Sequence, residues 1–86
     1  MSAPQTEKVK KLAWQCRRGM LELDVILIPF LEKHFADLSS VQQDRFEQLL
    51  NEADPDLYTW IMGYGHPEKA SQLEIVNIIR AKMAIA

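Results

Sequence analysis

The longest apolar run in the chain lies between Arg18 and Phe35, and its spacing predicts a central helix that other helices cover. At about 100° per residue, the broad apolar side of this helix collects Leu23, Leu27, Phe30, Leu31 and His34, and Leu21, Val25, Ile28 and Phe35 widen it. A narrow stripe of mixed charged and apolar residues remains, consisting of Arg18, Glu22, Ile26, Pro29 and Lys33. We interpret this stripe as the working surface, because a solvated face has no need of its apolar members.

Two helices are predicted in the first part of the chain. Apolar residues recur at helical spacing from about Thr6 to Arg17. Gly19 separates this helix from the central one, which we place from about Met20 to Phe35. Pro29 lies inside the central helix and predicts a kink there, because proline cannot donate to the preceding turn.

Three further helices are predicted in the second part. Ser39 followed by Gln42 is a capping-box pattern that starts the third helix. Asp54 as N-cap and Pro55 at the first position start a short fourth helix, which ends near Gly63. A last helix runs from about residue 67 or 70 to residue 83. Since no segment alternates with period two, the fold class is all-α: a compact five-helix bundle over residues 1–86, with frayed ends at about 1–6 and 84–86.

Composition excludes several classes of protein. The chain has 86 residues, of which 48% are hydrophobic, enough for one domain with a packed core. The net charge of −2, with the two signs interspersed, offers no basic patch for nucleic acid. No run approaches the roughly 18 apolar residues of a membrane-spanning helix, and the N-terminus has no secretory h-region. The single cysteine fits a cytoplasmic protein.

The chain offers little catalytic chemistry. Cys16 beside two arginines is a candidate nucleophile, but its place on the apolar stripe of the first helix favours a buried structural residue. His34 is interpreted as a core or helix-end histidine and His66 as a solvated turn residue. Two histidines without ligand spacing predict no metal site, and no catalytic residue is assigned. Asp24 projects among apolar residues of the central helix, so its carboxylate is expected to be hydrogen-bonded or near the rim.

A ridge of Trp14, Arg18 and Glu22 is predicted if the backbone stays roughly helical across Gly19. Arg18 would then stack on Trp14 and pair with Glu22. Trp14 lies off the buried stripe, on the side shared with Arg17 and Arg18. The residues alone leave two interpretations open, a solvated surface ion pair and a binding surface.

The run from Trp14 to Asp24, with Arg18, Gly19 and Glu22 in the pattern R-G-x-x-E, resembles the signature of the SdhE (YgfY) family. Pro29-Phe30 and the run from Asp54 to Met62 are also similar to that family, and the resemblance covers about residues 9–83. These are small flavinylation factors, related to a mitochondrial assembly factor of succinate dehydrogenase.

The resemblance implies a five-helix assembly chaperone that is not an enzyme and that holds no cofactor tightly. Its implied partner is the flavoprotein subunit of succinate dehydrogenase, and in bacteria that of fumarate reductase, to which it promotes covalent FAD attachment. Arg18, Gly19 and Glu22 match the family's contact residues. With the neighbouring residues of the ridge and stripe, the expected partner-binding set is Trp14, Arg17, Arg18, Gly19, Glu22 and Ile26. Family members have also been described as antitoxins, so an antitoxin-type protein-binding regulator is the alternative.

Overall fold

The computed structural model of this chain describes residues 3–85, with side chains from Glu7 onward. These residues form five α-helices and one short 3-10 helix: α1 (Ala3–Cys16), α2 (Leu21–His34), the 3-10 helix (Phe35–Asp37), α3 (Ser40–Leu49), α4 (Asp54–Ile61) and α5 (Ala70–Lys82). The predicted all-α, five-helix fold is therefore confirmed. Its first helix begins three residues before the predicted Thr6.

Helix α2 is the central helix, as predicted, and contacts α1, α4 and α5. Leu23, Leu27, Phe30 and Leu31 are buried on its covered side. The prediction that Leu21 and Val25 widen this side is wrong, because these side chains are 72% and 56% exposed. Each lies two residues from Leu23, a rotation of about 200°, and so projects away from the neighbouring helices.

Three phenylalanines join α2, the 3-10 helix and α3 at one end of the core. The ring of Phe46 lies 5.3 Å from that of Phe30 and 5.8 Å from that of Phe35, centroid to centroid. All three side chains are fully buried. His34 packs its ring 5.7 Å from Phe30 at the end of α2, which confirms the interpretation of a helix-end histidine.

The predicted capping box at the start of α3 is confirmed. The Gln42 backbone N–H donates to Ser39 Oγ at 3.1 Å, and the Ser39 N–H donates to Gln42 Oε1 at 3.0 Å. The prediction that Asp54 caps α4 is wrong, since Ala53 is the N-cap and Asp54 is already helical. The Asp54 carboxylate instead accepts a hydrogen bond from Arg18, 36 residues away in the chain.

Helices α4 and α5 end in the same way. After α4, Gly63 has φ +84° and Tyr64 N–H donates to Thr59 O at 2.9 Å, which is a Schellman motif. After α5, Ala84 takes the left-handed position with φ +56°. Ile85 N–H then donates to Arg80 O at 2.9 Å. Fraying at about 1–6 and 84–86 stays a prediction, as does the kink at Pro29; residues 1, 2 and 86 lie outside the described residues.

Candidate functional site

The turn between α1 and α2, residues 17–20, does not continue the helix. Helix α1 ends at Cys16, Gly19 takes φ +81°, and Met20 is extended before α2 begins. The predicted ridge required a helical backbone across Gly19. Because the left-handed conformation of Gly19 redirects the chain, residues on the two sides of the turn do not follow one helical row.

Arg18 points into the protein, and only 15% of its side chain is exposed. Its Nε donates to Asp54 Oδ1 at 2.7 Å. Its two terminal nitrogens donate to three main-chain carbonyls: Gln15 at 3.0 Å, Leu50 at 2.7 Å and Glu52 at 2.8 Å. The guanidinium thus ties together the end of α1, the loop between α3 and α4, and the first residue of α4.

The predicted contacts of Arg18 with Trp14 and Glu22 are therefore wrong. Among the described residues, the guanidinium has its ion pair with Asp54 and not with Glu22. The physical reason is that the planar guanidinium finds a carboxylate and three carbonyls in the interior, which together match its fixed fork of donors. Sequence spacing could not reveal these acceptors, three of which lie more than 30 residues away.

Asp24 also serves this turn. Its Oδ1 accepts a hydrogen bond from the backbone N–H of Arg18 at 2.8 Å. The expectation that this half-buried carboxylate is hydrogen-bonded is confirmed. Both the backbone and the side chain of Arg18 are thus fixed by carboxylates from other parts of the chain.

The other predicted site residues lie within the turn or close to it along the chain. Trp14 is 77% exposed, Arg17, Gly19 and Glu22 are exposed, and Ile26 is half-buried one helical turn after Glu22. A Cβ placed on Gly19 would have no described heavy atom within 4 Å, apart from the two chain neighbours. Space above the glycine is therefore open to another molecule.

Leu21 and Val25, which follow the turn at the start of α2, are also exposed, and sequence reasoning missed them. They stand one helical turn apart at the start of α2, next to Glu22. Their position opposite Leu23 and Leu27 could have indicated exposure. The turn surface, as we call it, consists of Trp14, Arg17, Gly19, Leu21, Glu22 and Val25.

A family profile described as "Flavinator of succinate dehydrogenase" (Sdh5) matches residues 10–83. This chain belongs to the Sdh5 family. Proteins named FAD assembly factor SdhE are similar to it along most of their length. The one from Vibrio vulnificus (strain CMCP6) is 47% identical over 76 residues, which are 88% of each chain. The one from Photobacterium profundum is 49% identical over 71 residues, 83% of this chain and 81% of the relative. The one from Legionella pneumophila (strain Lens) is 49% identical over 70 residues, 81% and 87% of the two chains.

The match to the Sdh5 family includes the whole turn surface and the interior partners of Arg18. The resemblance inferred from Arg18, Gly19 and Glu22 is thereby confirmed. The names of these relatives give no support to the antitoxin alternative.

The remaining reactive groups of this Sdh5-family chain are not members of the turn surface. Cys16 is fully buried, as predicted, and loss of hydration raises the pKa of its thiol to about 12, while the charge of Arg18 opposes the rise. His66 is exposed. Within the part of the chain that the structure describes, no group of three or more His, Cys, Asp or Glu side chains could hold a metal ion. None of the helices between residues 3 and 85 is long and apolar enough to cross a membrane.

Proposed function

We propose that this protein is a FAD assembly factor, which binds the flavoprotein subunit of succinate dehydrogenase and promotes covalent attachment of FAD to a histidine of that subunit. One observation carries the proposal. The turn surface is exposed around a positive-φ glycine with open space above it, in a chain 47% identical to an SdhE assembly factor over 88% of its length. We extend the proposal to the flavoprotein subunit of fumarate reductase, and we place the protein in the cytoplasm.

The chemistry of the turn surface supports docking to another protein. Trp14, Leu21 and Val25 supply apolar area, and exposed tryptophan is a frequent anchor of protein interfaces. Gly19 has no side chain, so a partner backbone could approach the turn closely. Arg17 and Glu22 carry opposite charges that would fix the orientation of the partner.

We further propose that the protein acts as a chaperone and not as an enzyme, and that FAD is held by its partner. The buried, protonated thiol of Cys16 is unsuited to nucleophilic chemistry. FAD supplies the covalent chemistry on the flavoprotein subunit. The residues of this chain bind that subunit and hold it in one orientation, and such positioning can lower a reaction barrier without a catalytic side chain.

The proposal is tested by deletion of the gene, followed by in-gel flavin fluorescence of denatured cell extract. We expect loss of the fluorescent band of the succinate dehydrogenase flavoprotein, and of the fumarate reductase band if that extension holds. The wild-type gene and the control Glu68→Ala, at an exposed glutamate outside the turn surface, restore the band, whereas Glu22→Ala does not. A fluorescent band that survives deletion would refute the proposal. Co-purification of a small toxin in place of a flavoprotein would favour the antitoxin alternative.

A further inference from the structure

The two segments that carry the resemblance to the family meet in the structure. Arg18 belongs to the first, between Trp14 and Asp24, and Asp54 begins the second. The 2.7 Å ion pair between them joins residues 36 positions apart. Arg18 also binds the carbonyls of Leu50 and Glu52, so the loop before α4 wraps around its guanidinium.

We propose that Arg18 and Asp54 are positioning residues, which act together to hold the 17–20 turn in the conformation that docks the partner. In this role Arg18 does not contact the partner through its side chain. This inference rests on the proposed function, because the docking it describes is that of the flavoprotein subunit.

The contacts of Arg18 leave little for a partner. Four hydrogen bonds within the chain occupy Nε and both terminal nitrogens of the guanidinium. The Arg18 side chain is 15% exposed, whereas Trp14, counted over the whole residue, is 77% exposed. Rotating the guanidinium outward would leave the three carbonyls and the Asp54 carboxylate without these bonds, which is unfavourable for part-buried groups.

The turn depends on these contacts. The side chain of Arg18 binds the interior and its backbone N–H binds Asp24, so both ends of the residue are held immediately before Gly19. Without Asp54 the guanidinium loses its charged partner and the turn can adopt other conformations. Only a fraction of molecules would then be competent to dock, and the apparent dissociation constant would rise in inverse proportion to that fraction.

The test compares Asp54→Ala and Asp54→Asn with Asp56→Ala. Asp56 is a matched control because it also lies in the first turn of α4, but it is exposed and outside the contacts of Arg18. The asparagine variant keeps an acceptor near Arg18 Nε, and so stays folded if the alanine variant does not. Affinity for the purified flavoprotein subunit is measured by calorimetry. The flavinylation rate is measured as a function of assembly-factor concentration. The chemical shift of the Gly19 amide is followed by NMR.

We expect Asp54→Ala to weaken binding about tenfold and Asp54→Asn to weaken it less. In both Asp54 variants the flavinylation rate at saturating assembly factor is expected to equal that of the wild type, and the chemical shift of the Gly19 amide is expected to change. A simple loss of stability predicts neither result. If Arg18 contacted the partner directly, removal of Asp54 would free it and affinity would hold or increase.

The inference is overturned by unchanged affinity in both Asp54 variants, by an equal loss in Asp56→Ala, or by a lower saturated rate at unchanged affinity. Failure of the wild-type protein to bind the flavoprotein subunit would refute the proposed function itself, and this inference with it.

Discussion

The thiol of Cys16 has no contact with water, and this burial controls its protonation. Desolvation penalises the thiolate and raises the pKa to about 12 from an ordinary value of 9.0. The thiol therefore stays protonated at neutral pH and reacts slowly with alkylating reagents in the folded protein.

This raised pKa makes stability depend on pH in the alkaline range. Between pH 9.0 and about 12 the unfolded chain loses the thiol proton while the folded chain keeps it. The free energy of unfolding should therefore fall with rising pH, by up to about 1.4 kcal/mol per pH unit from this group. Cys16→Ala lacks this term, so its stability relative to wild type is expected to improve as pH rises above 9.0. Urea denaturation of both proteins at neutral and alkaline pH checks this prediction. Parallel dependences of the free energy of unfolding on pH in the two proteins would contradict it.

Gly19 combines a positive φ, which disfavours any side chain, with free space around the position of a Cβ, and the two effects can be separated. A Cβ at φ +81° costs about 1 kcal/mol, but it meets no described neighbour. Gly63, at φ +84°, is the matched control, because a Cβ there would lie 2.6 Å from Arg80 Nη2 and would displace a guanidinium whose Nε donates to Ile61 O at 3.1 Å. We expect Gly63→Ala to destabilise the protein more than Gly19→Ala in thermal unfolding. An equal or reversed order would contradict this prediction.

A large side chain at position 19 is expected to weaken partner binding more than it lowers the stability of the fold. We expect Gly19→Arg to remain folded by circular dichroism, because the space above the turn is open. The same side chain would occupy the space that we assign to the partner, so flavinylation is expected to be lost. Normal covalent flavin in a strain carrying Gly19→Arg would contradict the assignment of this turn to docking.

At the scale of the helices, contacts between residues close in the chain were predictable from the sequence, and contacts between distant residues were not. Ser39 and Gln42 cap each other within four residues, so their pairing follows from the sequence. Asp54 has the sequence context of an N-cap, but its carboxylate binds Arg18 from another part of the fold. Periodicity identified the buried side of α2, yet which flank stays uncovered depends on where α1, α4 and α5 pack.

The end of α5 offers a test of helix termination. Ala84 adopts φ +56° where glycine is preferred, so Ala84→Gly should stabilise the protein by about 0.5–1 kcal/mol. Ala81→Gly is the control, since it places the same substitution at an exposed position inside α5 and should destabilise by about 1 kcal/mol. Chemical denaturation measures both changes. Loss of stability in Ala84→Gly would show that the left-handed position is not populated in solution.

Across the whole molecule, exposed apolar side chains are not evenly distributed. Trp14, Leu21 and Val25 share the turn surface, whereas Val41 lies on α3 and Tyr64 follows α4. The sequence identified five helices, their order and most of the turn surface. It could not show that Arg18 faces inward, because its acceptors are brought together only when α1, α3 and α4 assemble.

This distribution predicts where on the molecule a charge interferes with docking. Val25 and Val41 are almost equally exposed, at 56% and 55%, so an aspartate at either position should change stability little. Val25→Asp would bring a carboxylate into an apolar contact and is expected to weaken flavoprotein binding about tenfold. Val41→Asp, on α3, is expected to leave binding unchanged. Equal binding by the two variants would place the partner elsewhere.

The link between Arg18 and Asp54 also limits how such a protein can diverge over generations. A lone replacement of Asp54 leaves the mostly buried Arg18 without its charged partner, and a lone replacement of Arg18 leaves a half-buried carboxylate unpaired, whereas a joint replacement by uncharged groups of similar size removes both charges at once. In proteins with this fold, substitutions at positions 18 and 54 are therefore expected to occur together, so that the residue at one position predicts the residue at the other.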